Sequence, residues 1–205
     1  MTTRTIALAT TAAIATILLA GCAPAPSGMP GNGMGPNASS SPAAPSSPST
    51  SDAHNNADAM FAMMMIPHHQ QAIEMADMII TKNGIDPQII ELAQKIKDAQ
   101  QPEIAQMQGW LEAWGVGDPN DMMDDMDHGT GMMSDGDMSE LQSATGTDAG
   151  RIFLTQMIQH HEGAIDMATD EVEDGQNPAA VKLAKTIITS QTAEIEVMTG
   201  LLNAG

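Results

Sequence analysis

Apolar residues recur every three or four positions along four stretches of this chain, which is the spacing of one face of an α-helix. Each stretch is long enough for about seven helical turns. The pattern therefore predicts an all-α protein. The predicted helices run over 58–82, 87–114, 148–173 and 178–202.

The turn between the helices of each pair carries the same signals twice. Asp86 and Asn177 are each followed by proline, which is an N-cap residue followed by proline at the first helical position. Just before them, Gly84 and Gly175 suit a left-handed C-cap. The sequence therefore predicts two helical hairpins.

The two hairpins, 58–114 and 148–202, repeat one another. Residues 61–76 read FAMMMIPHHQQAIEMA and residues 153–168 read FLTQMIQHHEGAIDMA, so these motifs align at an offset of 92. The second helix recurs in the fourth at an offset of 91. The repeat predicts a molecule with two similar halves.

The segment between the hairpins, 115–147, is rich in Gly, Asp, Ser and Met and has no helical periodicity. A helix of ~25 residues is ~37 Å long, and a connection of this length can return along it. Two hairpins joined by a long crossover predict a ferritin-like four-helix bundle. The bundle domain is expected to cover 58–205.

Paired histidines and methionines share the predicted inner face of the first and third helices. Successive residues turn by about 100°. Measured from Phe61, the directions of Met65, His68 and Met75 lie within roughly 40°, and His69 flanks them. The predicted metal ligands are His68, His69, Met65, Met75 and Met107 from the first hairpin and His160, His161, Met157, Met167 and Met198 from the second.

Two glutamates, Glu103 and Glu194, fall on the inward stripes of the second and fourth helices. A buried glutamate is rare without a partner, so each is predicted to accept a hydrogen bond from a ligand histidine and fix its tautomer. In the alternative, His68 and Glu103 satisfy each other and no metal is bound. Two equivalent sets with methionine neighbours favour the metal.

Imidazole and thioether donors together select soft or borderline ions, above all Cu(I), with Ag(I) as a mimic. Zinc rarely uses methionine and calcium prefers oxygen. Methionine accounts for 19 of 205 residues, and the crossover concentrates soft donors among aspartates, which indicates a metal-collecting loop. Its candidate ligands are Met122, Met123, Met126, His128, Met132, Met133 and Met138.

The first residues, 1–21, have the anatomy of an export signal, with Arg4 followed by a short apolar stretch. The residues Leu19 to Cys22 resemble the lipobox of bacterial lipoproteins, whose cysteine is lipidated. Cys22 is the only cysteine, so it is predicted to anchor the chain to a membrane. The Pro-, Ser- and Gly-rich segment 22–57 is predicted to be a disordered tether.

The chain is strongly acidic, with 7 basic and 26 acidic residues and a net charge of −19. It has no tyrosine, two phenylalanines and two tryptophans. Nucleic-acid binders need a cationic surface and stacking rings, so nucleic acid is excluded as a partner.

The motifs MIPHHQQAIEMA and FLTQMIQHHEGAIDMA, with the stretch from Gln100 to Met107 and with Trp110 and Trp114, resemble the bacterial domain-of-unknown-function family numbered 305. The resemblance covers 58–202 and implies a ferritin-like bundle in an exported protein. Some members are periplasmic copper-binding proteins linked to copper resistance that use Met and His ligands. The second motif differs from the first at Gln159, which stands where the first motif has Pro67.

We therefore predict a lipid-anchored protein of the cell envelope, facing outside the cytoplasm, that sequesters Cu(I) or passes it to a copper-transfer partner. It is not expected to be an enzyme. One alternative is a di-iron carboxylate oxidase, but that site needs Glu-x-x-His, which this sequence lacks. The second alternative is a structural lipoprotein of the envelope that binds no metal.

Overall fold

The structure is a computed structural model that describes residues 53–117 and 131–204. The described residues form five helices and no strand, which confirms the all-α prediction. The signal and residues 22–52 of the predicted tether, including Cys22, lie outside them, as do Met122, Met123, Met126 and His128. The last residues of the predicted tether, 53–57, are described, and among them Asn55 caps the first helix, which begins at Asn56. The helices are α1 (Asn56–Ile80), α2 (Pro87–Trp114), α3 (Asp135–Ser143), α4 (Gly146–Asp174) and α5 (Pro178–Ala204).

The four long helices form the two predicted hairpins. Helix α1 packs along α2, α4 packs along α5, and α1 packs against α4 where the hairpins meet. Helix α2 has the predicted bounds and α5 has the predicted start, and the other ends of the long helices differ from the prediction by one or two residues. None of the described helices is long and apolar enough to cross a membrane.

The short helix α3 corrects the prediction that the crossover 115–147 has no helix. It begins with a capping box, in which the Ser134 side chain accepts from the Asp137 N–H and the Asp137 carboxylate accepts from the Ser134 N–H. Among its nine residues only Leu141 is fully buried. A helix that buries a single side chain leaves no apolar periodicity, which is why the pattern missed it.

The two glycines of the turns have different functions, which corrects the prediction of two left-handed caps. Gly84 has φ +78°, in the left-handed region. Gly175 has φ −68° at the C-cap of α4, and a Cβ there would overlap the Glu171 carboxyl. Gly175 is needed for space rather than for its backbone angle. The predicted N-caps are confirmed, since the Asp86 and Asn177 side chains accept backbone N–H groups of the first turns of α2 and α5.

The core consists of two apolar clusters separated by a polar layer. The proximal cluster joins the first half of α1 to the second half of α4, and the distal cluster joins the second half of α1 to the first half of α4. Between them, at the middle of the long helices, lie two buried glutamines, Gln100 and Gln191, and four buried histidines, which we call the histidine layer. The histidine layer consists of His68, His69, His160 and His161.

The clusters hold the helices together and thereby enclose the histidine layer. Phe153, Ile96 and Ile187 are among the large side chains that are fully buried. Each such side chain stabilises the fold by about 1.5–3 kcal/mol relative to leaving it in water. This apolar packing offsets the cost of placing imidazoles in the interior.

Candidate metal centre

The two halves of the molecule meet at a pair of equivalent histidines. The imidazole rings of His68 and His160 lie with their centroids 3.7 Å apart and their planes at 41°. The two residues are related by the offset of 92 in the repeat, one on α1 and the other on α4. Both are buried, at 1% and 0% exposure. The approximate two-fold axis of the repeat therefore passes through the histidine layer.

The other two histidines each pair with one of the predicted glutamates. His69 Nε2 lies 2.8 Å from Glu103 Oε2, and His161 Nε2 lies 2.7 Å from Glu194 Oε2. Each bond joins the two helices of one hairpin. The metal-free alternative paired Glu103 with His68, whereas the structure pairs it with His69.

These pairs leave one ring nitrogen of each histidine available. In a neutral imidazole, the Nε2–H bond to the glutamate leaves the lone pair on Nδ1. Among the described residues, no hydrogen-bond partner exists for the buried Nδ1 of His69 or of His161. A buried polar atom without a partner costs about 1–3 kcal/mol. Such atoms fit a site that holds a metal ion.

Burial also keeps a third histidine in its metal-binding form. The pKa of His160 lies well below its usual value, because burial disfavours the charged ring and because His68, His161 and His69 disfavour it further. A backbone hydrogen bond with His68 opposes this shift only in part. At neutral pH His160 is therefore uncharged, which is the form of imidazole that ligates metals.

The predicted methionines flank the histidine layer on both sides, and all six are buried. The two groups of methionines do not correspond to the two hairpins, because α1 and α4 pack antiparallel and bring opposite helix ends together. Each group takes two methionines from one hairpin and one from the other. The proximal cluster holds Met65, Met107 and Met167, and the distal cluster holds Met75, Met157 and Met198.

The histidine layer is not a complete metal site by itself. Within 53–117 and 131–204, no three His, Cys, Asp or Glu side chains, the four histidines included, are placed together as a metal-binding group. Glu74 and Asp166, which follow the histidine pairs, are exposed as the helical pattern predicted. An ion bound in the histidine layer would therefore need thioether donors from the proximal and distal clusters as well as imidazoles.

Three of the predicted crossover ligands are described by the structure. Met133 is 6% exposed and joins the distal cluster, while Met132 and Met138 are half-buried. This end of the crossover is therefore packed onto the bundle rather than extended into solvent.

Sequence reasoning missed a pair of buried carboxyls at one end of the bundle, Asp58 and Glu171. Burial alone would raise the pKa of Asp58, but hydrogen bonds from the Asn55 and Asn177 N–H groups and from Glu171 outweigh it, and the pKa is lowered. Burial, with the bond to Asp58 and its charge, raises the pKa of Glu171 to about 8. Glu171 is therefore protonated at neutral pH beside Asp58. The capping-box spacing from Asn55 to Asp58 was the signal available in the sequence.

A family model described as a domain of unknown function, DUF305, matches residues 58–202. The chain belongs to the DUF305 family. The match spans both hairpins and the crossover, as the doubled His-His motif predicted. Among curated proteins, none is significantly similar in sequence.

Several solved structures share this fold. A candidate secreted protein from Streptomyces coelicolor is 33% identical with a TM-score of 0.66, over 72% of this chain and 93% of its own. A fragment from Deinococcus radiodurans is 28% identical with a TM-score of 0.63, over 74% and 98%. CopM with Cu(I) bound is 33% identical with a TM-score of 0.59, over 72% and 96%. CopM has also been solved with Cu(II), with Ag and as the apo form.

Proposed function

We propose that this chain binds copper, as Cu(I), within the histidine layer, and that it sequesters the ion or delivers it outside the cytoplasm. The observation that carries the proposal is the pair of buried Nδ1 atoms of His69 and His161 among soft donors. The likeness to CopM, which has been solved with Cu(I), Cu(II) and Ag bound, supports the choice of metal.

The donor set favours a soft monovalent ion. Neutral imidazole nitrogens and methionine sulfurs bind Cu(I) and Ag(I) well, whereas Mg²⁺ and Ca²⁺ require oxygen ligands. The proximal and distal methionines lie in the apolar clusters on either side of the histidines. Apolar surroundings exclude water and so help to protect Cu(I) from oxidation.

The two glutamates have a supporting function in this proposal. Glu103 and Glu194 hold the Nε2–H groups of His69 and His161, which fixes each ring and increases the basicity of its free nitrogen. Both carboxylates remain partly exposed, at 16% and 20%. Each carboxylate therefore keeps some contact with solvent while it orients a buried ring.

We propose that the molecule works at the cell envelope. The apolar stretch after Arg4 and the lipobox-like residues ending at Cys22 support export followed by lipid anchoring. The likeness to a candidate secreted protein supports export. A tethered bundle could pass copper to a transfer protein, and Met122, Met123, Met126 and His128 would collect ions beside it.

We propose a binding protein rather than an enzyme. A di-iron oxidase would need inward carboxylates one turn from its histidines, whereas the exposed Glu74 and Asp166 follow the histidine pairs here. The metal-free alternative remains open to a direct test, because a ligand that binds only the folded chain must raise its melting temperature.

The test compares the melting temperature with and without one equivalent of Ag(I), which avoids redox chemistry. The wild-type chain from residue 23 onward should melt at a higher temperature with Ag(I), and the double variant His69→Leu/His161→Leu should lose that shift. A control variant, Glu74→Gln, changes an exposed side chain beside the same motif and should keep it. A wild-type melting temperature that does not respond to Ag(I) or Cu(I) would leave the histidines as structural residues.

A further inference from the structure

The crossover returns to the bundle at residues 131–134, directly over the seam between α1 and α4. Gly131 has φ +90°, and a Cβ on it would lie 2.7 Å from Gly163 Cα and 3.1 Å from the Gln159 carbonyl oxygen. Only glycine can adopt this backbone angle without strain and approach α4 so closely. The chain therefore passes within contact distance of the helical turn that contains His160.

On the other side of the seam, Gln71 of α1 holds the same segment by its backbone. The Gln71 Nε2 donates to the Met133 carbonyl at 2.9 Å, and the Met133 N–H donates to Gln71 Oε1 at 2.7 Å. One side-chain amide thus satisfies both backbone groups of one residue, as a neighbouring strand would. These two bonds fix the position of Met133 relative to α1.

The two helices contact residues 131–134 of the crossover from equivalent positions of the repeat. Gln71 and Gly163 are related by the offset of 92 in the repeat, and they differ in both size and polarity. The amide on α1 binds the crossover, and the glycine on α4 leaves room for it. The departure from symmetry is explained by the crossover, which can occupy only one side of the bundle.

A third hydrogen bond holds the crossover in the first turn of α3. Gln156 of α4 donates from Nε2 to the Asp137 carbonyl at 2.9 Å. The Met133 side chain is 6% exposed and lies in the distal cluster with Met75, Met157 and Met198. From the described part of the crossover, the proximal cluster receives only Val116, which is partly buried and carries no sulfur.

We propose that Met133 is an additional thioether donor at the distal side of the histidine layer and that Gln71 is the positioning residue that holds it there. This inference rests on the proposed copper function and deepens it. An ion bound on the distal side of the histidine layer then has a thioether from the described part of the crossover available, which an ion bound on the proximal side lacks, and copper on the distal side is released more slowly.

The test uses the chain from residue 23 onward with Gln71→Ala and Met133→Leu as separate variants. Met133→Leu preserves buried volume and removes only the sulfur. Gln70→Ala is the matched control, since Gln70 is an exposed glutamine next to Gln71 on the same helix. Two quantities are measured: amide hydrogen exchange of Met133 in the copper-free chain, and release of Cu(I) to an excess of chelator.

We expect the Met133 amide to be protected in the wild type and in Gln70→Ala but to exchange freely in Gln71→Ala. We expect wild-type release in two phases, with the slow phase about tenfold faster in both Gln71→Ala and Met133→Leu. Unchanged release in Met133→Leu, from a wild type that binds copper, would overturn this inference alone. A wild type that binds no Cu(I) would overturn the proposed function and this inference with it.

Discussion

His68 and His160 place their imidazole rings 3.7 Å apart at the centre of the bundle, although 91 residues separate them along the chain. Each ring comes from the same position of a repeated motif, so the contact brings the two halves together. The nearby His68 ring disfavours charge on His160, which is one cause, after burial, of the lowered pKa of His160. The contact between the two repeats therefore helps to keep His160 uncharged, which is the form of imidazole that can bind a metal.

Removing the charge of the supporting glutamates should weaken copper binding without unfolding the chain. Glu103→Gln and Glu194→Gln keep the size of the side chain but weaken the bond to His69 or His161. Loss of such a partner typically lowers metal affinity by about 10- to 100-fold. Cu(I) competition titrations should show this loss for both variants, while Glu196→Gln, on the exposed face of the same helix as Glu194, should bind like the wild type. Equal affinity in all three variants would contradict this role.

Replacing buried methionine by leucine separates ligation from packing. Met107 and Met198 are equivalent in the repeat, fully buried, and on opposite sides of the histidine layer. A volume-conserving exchange usually costs less than about 1.5 kcal/mol of stability. The double variant Met107→Leu/Met198→Leu should therefore fold, as circular dichroism can verify, but should bind Cu(I) more weakly. Wild-type affinity in that variant would show that these thioethers only fill space.

The buried Glu171 should make the stability of the bundle depend on pH. Its pKa is about 8 in the folded chain, against an ordinary value of 4.5. The folded state therefore keeps a proton that the unfolded state has released, and the free energy of unfolding falls as the pH rises from about 4.5 to about 8. Glu171→Gln is neutral at every pH and should gain stability relative to the wild type over this range. Denaturant unfolding at pH 5 and pH 8 checks this, and parallel losses for the two proteins would refute it.

The anchoring proposal depends on one cysteine. Cys22→Ser removes the only thiol that a lipid could modify. In cells that export the protein, the wild type should sediment with membranes, and Cys22→Ser should lose the lipid that mass spectrometry detects on the wild type. An unlipidated wild type would show that the lipobox-like residues have another function.

Much of the fold followed from local signals. The bounds of α2, the N-caps at Asp86 and Asn177, and the burial of the histidine pairs all depend on periodicity and capping within a few residues. The residues that determine these features lie within or next to the helix concerned. The repeat also predicted that the two hairpins have similar structures, which the sequence of one helix alone does not show.

The remainder depends on contacts between distant parts of the chain. The grouping of Met167 with Met65 follows from the antiparallel packing of α1 and α4, and the bond from Gln71 to Met133 joins residues 62 apart. The acid pair of Asp58 and Glu171 likewise forms only when two helix ends meet. No local pattern specifies which distant partner a polar side chain will find.

The measurement that tests the central claim most directly is a Cu(I) titration against a chromophoric chelator, under reducing and anaerobic conditions. The chain from residue 23 onward would carry serine in place of Met122, Met123, Met126 and His128, so that the bundle is the main soft site left. We predict tight binding of at least one equivalent, which His69→Leu/His161→Leu then abolishes. Binding that disappears with the loop substitutions alone would place copper in the crossover and contradict a site in the histidine layer.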